Sequence, residues 1–149
     1  MRFKGSWLIL GLMVVPPVMA QSSFQGDWLY QQTCGWKHSA DLHLTQQGNE
    51  VKGHWGDGTA RGHGDSGSLQ GTLKGKKLLV GYCNDDPASN DGAICPNFDK
   101  DQPDYYVLRG DELDWYQKFG DKHRKYLTLH REIKGKKTPT DDHCPDDDQ

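Results

Sequence analysis

The stretch Ala40-Asp41-Leu42-His43-Leu44-Thr45 alternates apolar and polar residues one for one. A period of two puts Ala40, Leu42 and Leu44 on one face and Asp41, His43 and Thr45 on the other, the pattern of a half-buried β-strand. Gln47-Gly48-Asn49 then turns the chain, and Val51, Gly53 and Trp55 mark the inner face of the next run. A first run, Trp28 to Cys34, precedes them. A glycine-rich stretch, Gly56 to Gly67, reads as a link. Leu69, Gly71 and Leu73 alternate again, and Lys74-Gly75-Lys76 turns into Leu78, Val80 and Tyr82. Tyr105 to Leu108, a turn at Gly110-Asp111, Leu113 with Trp115, a turn at Phe119-Gly120-Asp121, and Tyr126 to Arg131 complete the series. About eight short strands joined by glycine turns, with no amphipathic helix, predict an all-β fold. Short links between sequential neighbours favour a single antiparallel up-and-down barrel, because closure removes exposed edges.

The first residues read as an export signal. Arg2 and Lys4 give a basic start, Trp7 to Val15 a short apolar run, and Val18-Met19-Ala20 small residues before a cut at Gln21. The run is shorter than the ~20 residues a membrane-spanning helix needs, so no membrane span is expected. The sequence thus divides into a signal peptide (1–20), a β-barrel domain (21–137) and an acidic tail (138–149). The tail is expected to be disordered except where Cys144 holds it. The expected compartment is the bacterial periplasm or the exterior.

Cys34, Cys83, Cys95 and Cys144 all follow the signal. An even count in an exported chain predicts two disulfides. Of the three possible connectivities, Cys83–Cys95 with Cys34–Cys144 is favoured: one closes a loop, the other ties the first strand to the tail. The spacing lacks the close Cys-x-x-Cys pairs of zinc sites.

The chain carries a net charge of −3, and losing Arg2 and Lys4 makes the remainder more acidic. The acid is concentrated. Asp85, Asp86, Asp91, Asp99, Asp101 and Asp104 crowd residues 84–104 against Lys100 alone, and five aspartates occupy 138–149. Bases are scattered and form no stripe with aromatics, so nucleic acid is not an expected partner. Leu, Ile and Val are few after residue 20, so aromatic rings must fill much of the interior, leaving little stock for a wide apolar cavity.

Gly26-Asp27-Trp28 opens the first strand and Leu127-Thr128-Leu129-His130-Arg131 closes the last. This resembles the calycin barrels, the lipocalins and avidins, whose G-x-W motif starts the barrel. In lipocalins a basic residue of the last strand stacks on that Trp, so the resemblance implies a cation–π plug of Trp28 and Arg131. Pro103-Asp104-Tyr105-Tyr106 is similar to the second lipocalin motif, T-D-Y, without its Thr. The chain departs from lipocalins in having no room for a helix after the last strand, and no avidin ligand residues carry over. Small periplasmic lysozyme inhibitors are also compact barrels, though their motifs are missing.

Other constellations have simpler readings. Gly64-Asp65-Ser66-Gly67 looks like a serine-nucleophile loop, but Ser66 would need a histidine base and a buried carboxylate in a frame this short chain does not supply. His54 and His63, beside Asp57 and Asp65, could meet around a transition metal only across a hairpin. Asn84-Asp85-Asp86 and Asn90-Asp91-Gly92 have calcium-loop composition but fail the EF-hand pattern. Arg109-Gly110-Asp111 reads as a hairpin turn. No cofactor and no enzyme activity are implied.

The sequence therefore predicts a non-catalytic exported barrel that binds a protein partner, as an inhibitor or immunity-type protein against a hydrolase. Asp85, Asp86, Asp91, Asp99 and Asp101 on a protruding loop would be the contacts, with Tyr105 and Tyr106 as aromatic anchors. The alternative is a lipocalin-like carrier with a small molecule at the barrel mouth, lined by Trp55, Tyr82 and Trp115. A calcium- or transition-metal-binding role is the further alternative.

Overall fold

The computed structural model describes residues 23–62, 64–90, 92–101 and 103–143. The expected signal peptide, Asp91 and Cys144 lie outside the described residues. Eight antiparallel strands close into one up-and-down barrel: β1 (Gly26–Gln31), β2 (Ser39–Gln47), β3 (Glu50–Gly58), β4 (Gly64–Lys74), β5 (Lys77–Asn84), β6 (Asp104–Arg109), β7 (Glu112–Phe119) and β8 (Lys122–Arg131). The ring shuts where Trp28 pairs with Arg131 and Leu29 with His130. Among the described residues no helix is long and apolar enough to cross a membrane.

Alternation dictates what fills the barrel. Ala40, Leu42, Leu44, Val51, Leu69, Leu78, Val80, Tyr106, Leu113, Leu127 and Leu129 point inward and pack on Trp28 and Phe24. The glycine-rich stretch is not only a link. The β3–β4 ladder runs through it from Trp55–Gly67 to Gly58–Gly64. Glycine is required where strands press together: a Cβ on Gly53 would lie 2.0 Å from the His43 carbonyl oxygen.

Turn chemistry makes the two ends unequal. The β2–β3, β4–β5 and β6–β7 links are tight turns with Gly48, Gly75 and Gly110 at positive φ. All three lie at one end. The longer connections 32–38, 59–63 and 85–103 lie at the other, where binding residues concentrate in most folds.

The tight end is plugged. The Arg131 guanidinium sits 4.1 Å from the Trp28 ring centroid, as the calycin resemblance implies. It donates to the carbonyl oxygens of Gln25 and Ser23 at 2.6 and 2.8 Å, and the Trp28 indole N–H donates to Phe24 O at 2.9 Å.

One disulfide, Cys83–Cys95, joins described residues, which suits an oxidising compartment. The Cys34–Cys144 bridge falls on a residue outside them, and Cys34 is not a free thiol. The tail departs from the expected disorder before Cys144. Asp141 bridges to Gln32, its N–H donates to Gln31 O, and its carboxylate accepts from the Tyr30 hydroxyl at 2.8 Å. The tyrosine sits where the tail returns to β1, so the strand supplies a partner.

Candidate functional site

The open end is where polar and aromatic side chains converge. β5 runs past the start of β6: their pairing stops at Val80–Asp104, leaving 81–84 without a strand neighbour on that side. The 85–103 connection takes up the vacant edge. Asp99 N–H donates to Tyr82 O, Cys95 N–H to Asn84 O, and Asn84 N–H to Ala93 O. The buried Asn84 side chain organises the fold-back, donating to Asp65 Oδ1 and Ser89 Oγ and accepting from the Asp86 N–H. The Cys83–Cys95 disulfide locks the same point. The loop expected to protrude is thus laid along the barrel wall, because β5's unpaired backbone groups need partners.

A cavity of about 290 Å³ opens at this end, lined by Trp55, Asp57, Asp65, Tyr82, Gly92, Asp99, Asp104, Trp115 and Gln117. Trp55, Tyr82 and Trp115, anticipated from three different strands, meet here. Tyr82 packs edge-on against Trp55 with centroids 5.4 Å apart and leans on Trp115 at 6.2 Å. Beneath them the barrel is filled, so the site is a shallow mouth and not a deep calyx.

Each ring is fixed by a polar bond. The Trp55 N–H donates to Cys83 O at 3.2 Å. The Tyr82 and Tyr106 hydroxyls share a bond of 3.0 Å. The Trp115 N–H donates to Asp104 Oδ2 at 2.9 Å, and Lys118 N–H reaches Asp104 Oδ1 at 3.2 Å. Burial pushes the Asp104 carboxyl above its ordinary range, while the bonds from Trp115, Lys118 and Tyr82 partly oppose this. Burial, chiefly, also holds the Tyr82 and Tyr106 hydroxyls well above the usual phenol range, so both are neutral.

A second group borders the mouth. His38 Nε2 contacts Asp57 Oδ1, and the Tyr126 hydroxyl donates to Asp57 Oδ2 at 3.0 Å. Tyr126 stands edge-on to Trp115 at 5.1 Å, and His38 packs between Tyr30 and Tyr126. Burial and the Asp57 charge push the Tyr126 hydroxyl above the phenol range. Tyr30 is pushed up to about 12 by burial and by its bond to Asp141.

The proposed partner contacts separate. Asp85, Asp86 and Asp101 are exposed. Asp99 faces the mouth and accepts from the Ala93 N–H at 3.0 Å. Tyr105 lies half-buried, stacked on Tyr116 at 4.8 Å with the Lys77 ammonium 4.3 Å from its centroid. Tyr106 is 0 % exposed and cannot anchor a partner. It shares the inward face of β6 with Asp104 and Leu108, so its ring belongs to the core. His54 lies exposed, paired across strands with His43. Among the described residues no three His, Cys, Asp or Glu side chains are grouped to hold a metal ion.

Sequence reasoning singled out neither the His38–Asp57–Tyr126 group nor Asp104 as part of a site. Its one signal was an aspartate at an inward strand position, where an apolar residue is usual. Comparison with protein-family models, curated proteins and solved structures gives no match. The closed eight-strand barrel is compatible with a calycin-like fold.

Proposed function

We propose that this chain is a non-catalytic exported barrel that binds a small ligand at its open mouth. The observation that carries this reading is the convergence of Trp55, Tyr82 and Trp115 on one cavity at the end that bears the long connections. Aromatic walls with a few placed polar groups are the usual make-up of a ligand site. At the opposite end Arg131 packs over Trp28. The test is native mass spectrometry of the protein freshly isolated from the export compartment. A bound small molecule, lost when Trp55 is changed to Ala, is expected. A clean unliganded mass across isolates overturns the reading.

Recognition of a protein partner is the second reading. It is favoured by the exposed Asp85, Asp86 and Asp101 on a loop fixed by Cys83–Cys95. Trp36 and Phe119, 58 % and 52 % exposed, stand at the same end. A hydrolase with a basic cleft is the partner class this surface suits. Pull-down from periplasm that recovers no stoichiometric partner counts against it.

A further inference from the structure

The cavity mixes two kinds of wall. Trp55, Tyr82 and Trp115 supply ring faces and edges, and Asp57, Asp65, Asp99 and Asp104 stand among them. These carboxylates have no strong counter-charge. Among the described residues none lies within ion-pair distance of a Lys or Arg; Asp57 has His38, and the others are met by neutral donors. The β6–β7 hairpin and the start of β7 behave differently: Asp111, Glu112 and Asp114 each have an Arg or Lys partner. The mouth therefore holds negative potential against aromatic surface.

Two cation classes could answer that potential. A bare metal ion needs several oxygens converging on one point. Asp57 and Asp65 are direct cross-strand partners on β3 and β4, whereas Asp104 comes from β6 and Asp99 from the 85–103 connection, and among the described residues no group of three His, Cys, Asp or Glu side chains is arranged to hold a metal ion. A larger cation with an apolar skin suits this mixed lining, because aromatic faces attract it while the carboxylates add their charge. We propose that the mouth takes a compact organic cation, an alkylated ammonium group, between Trp55, Tyr82 and Trp115 with Asp57, Asp65, Asp99 and Asp104 around it. This rests on the reading of the mouth as a ligand site.

The test uses the oxidised mature protein, with the tryptophan indole N–H resonances followed by NMR. The probes are choline chloride, sodium chloride at equal ionic strength, and 3,3-dimethylbutan-1-ol, the uncharged isostere of choline. Choline is expected to move Trp55 and Trp115 but not Trp28 in the plug, with affinity of about millimolar. The alcohol is expected to bind about tenfold more weakly. The double change Asp65→Asn with Asp99→Asn is expected to weaken choline about tenfold and leave the alcohol unaffected. Each of those asparagines keeps an oxygen that can accept the existing bond. Alcohol binding as tight as choline overturns the cation inference yet leaves the mouth a ligand site. No movement with either probe, or equal movement with sodium chloride, overturns the inference too. The ligand-site reading is then decided separately by the co-purified mass.

Discussion

Trp55 and Gly67 oppose each other on β3 and β4, and the Trp55 indole donates past Gly67 to the carbonyl oxygen of Cys83 on β5. A Cβ on Gly67 would lie 1.9 Å from that same oxygen. The missing side chain therefore sets the position of an aromatic wall of the mouth. Gly67→Ala is expected to destabilise the fold by about 1–3 kcal/mol, since the backbone of β5 must shift. It should move the Trp55 indole resonance and leave Trp28 in place. Urea unfolding with indole NMR checks both, and an unchanged Trp55 signal contradicts the argument.

The plug predicts a second outcome. Arg131 gains from the Trp28 face and from two carbonyl oxygens, while its ion pair with the exposed Asp111 is long at 3.3 Å. Arg131→Met keeps much of the apolar stem but loses the fork of donors, at an expected cost of about 1–3 kcal/mol. Asp111→Asn is expected to cost under about 1 kcal/mol. Arg131→Lys should recover little, because an ammonium cannot span both carbonyls. Denaturation midpoints of the three variants rank the contributions.

What the sequence disclosed follows the same physics. Strands with an unbroken alternation, such as Ala40-Leu42-Leu44, could be read directly, and the glycine turns supplied the hairpins. Tyr106 was harder because β6 presents aromatic or aliphatic residues on both faces: Tyr105 and Val107 outward, Tyr106 and Leu108 inward. Only Asp104, a polar residue on the inner side, marks the mouth, and its partner Trp115 lies across the hairpin. The β-bulge between Trp115 and Tyr116 shifts the β7–β8 register, so the strands' own periodicity could not bring Tyr126 to His38. In the sequence Asp57 and Asp65 lie near His54 and His63. That they join the tryptophans depends on closure of the barrel, which is a long-range property.

The Cys83–Cys95 disulfide holds the connection that fills β5's free edge. Replacing both cysteines with alanine is expected to cost about 2–4 kcal/mol by freeing the unfolded chain. Hydrogen exchange should rise at the Asn84, Cys95→Ala and Asp99 amides, which pair the loop to β5, and stay low in the β2–β3 ladder. Uniform exchange across both regions contradicts a loop held mainly at this point.

Acid sensitivity should divide between two aspartates of opposite sign. Burial raises the Asp114 carboxyl, but hydrogen bonds from Arg109, Lys125 and Thr128 at 2.6 to 3.0 Å outweigh it, holding Asp114 well below the usual carboxylate range. With the folded value lowered, its contribution is present above the unfolded value of about 4 and fades as pH falls through the folded one. Asp104 is raised by burial, so its share of stability is full below about 4 and declines as pH rises through its folded value. Asp114→Asn is therefore expected to cost about 2–3 kcal/mol at pH 7 and much less near pH 2. Asp104→Asn should remove a stability decrease that sets in as pH rises above about 4. The titratable groups acting on Asp104 are Tyr82, Tyr106 and His123, and the coulombic effect of His123 acts to lower it. Urea titrations of both variants and the parent at stepped pH values give the difference curves, and curves of the same sign contradict the assignment.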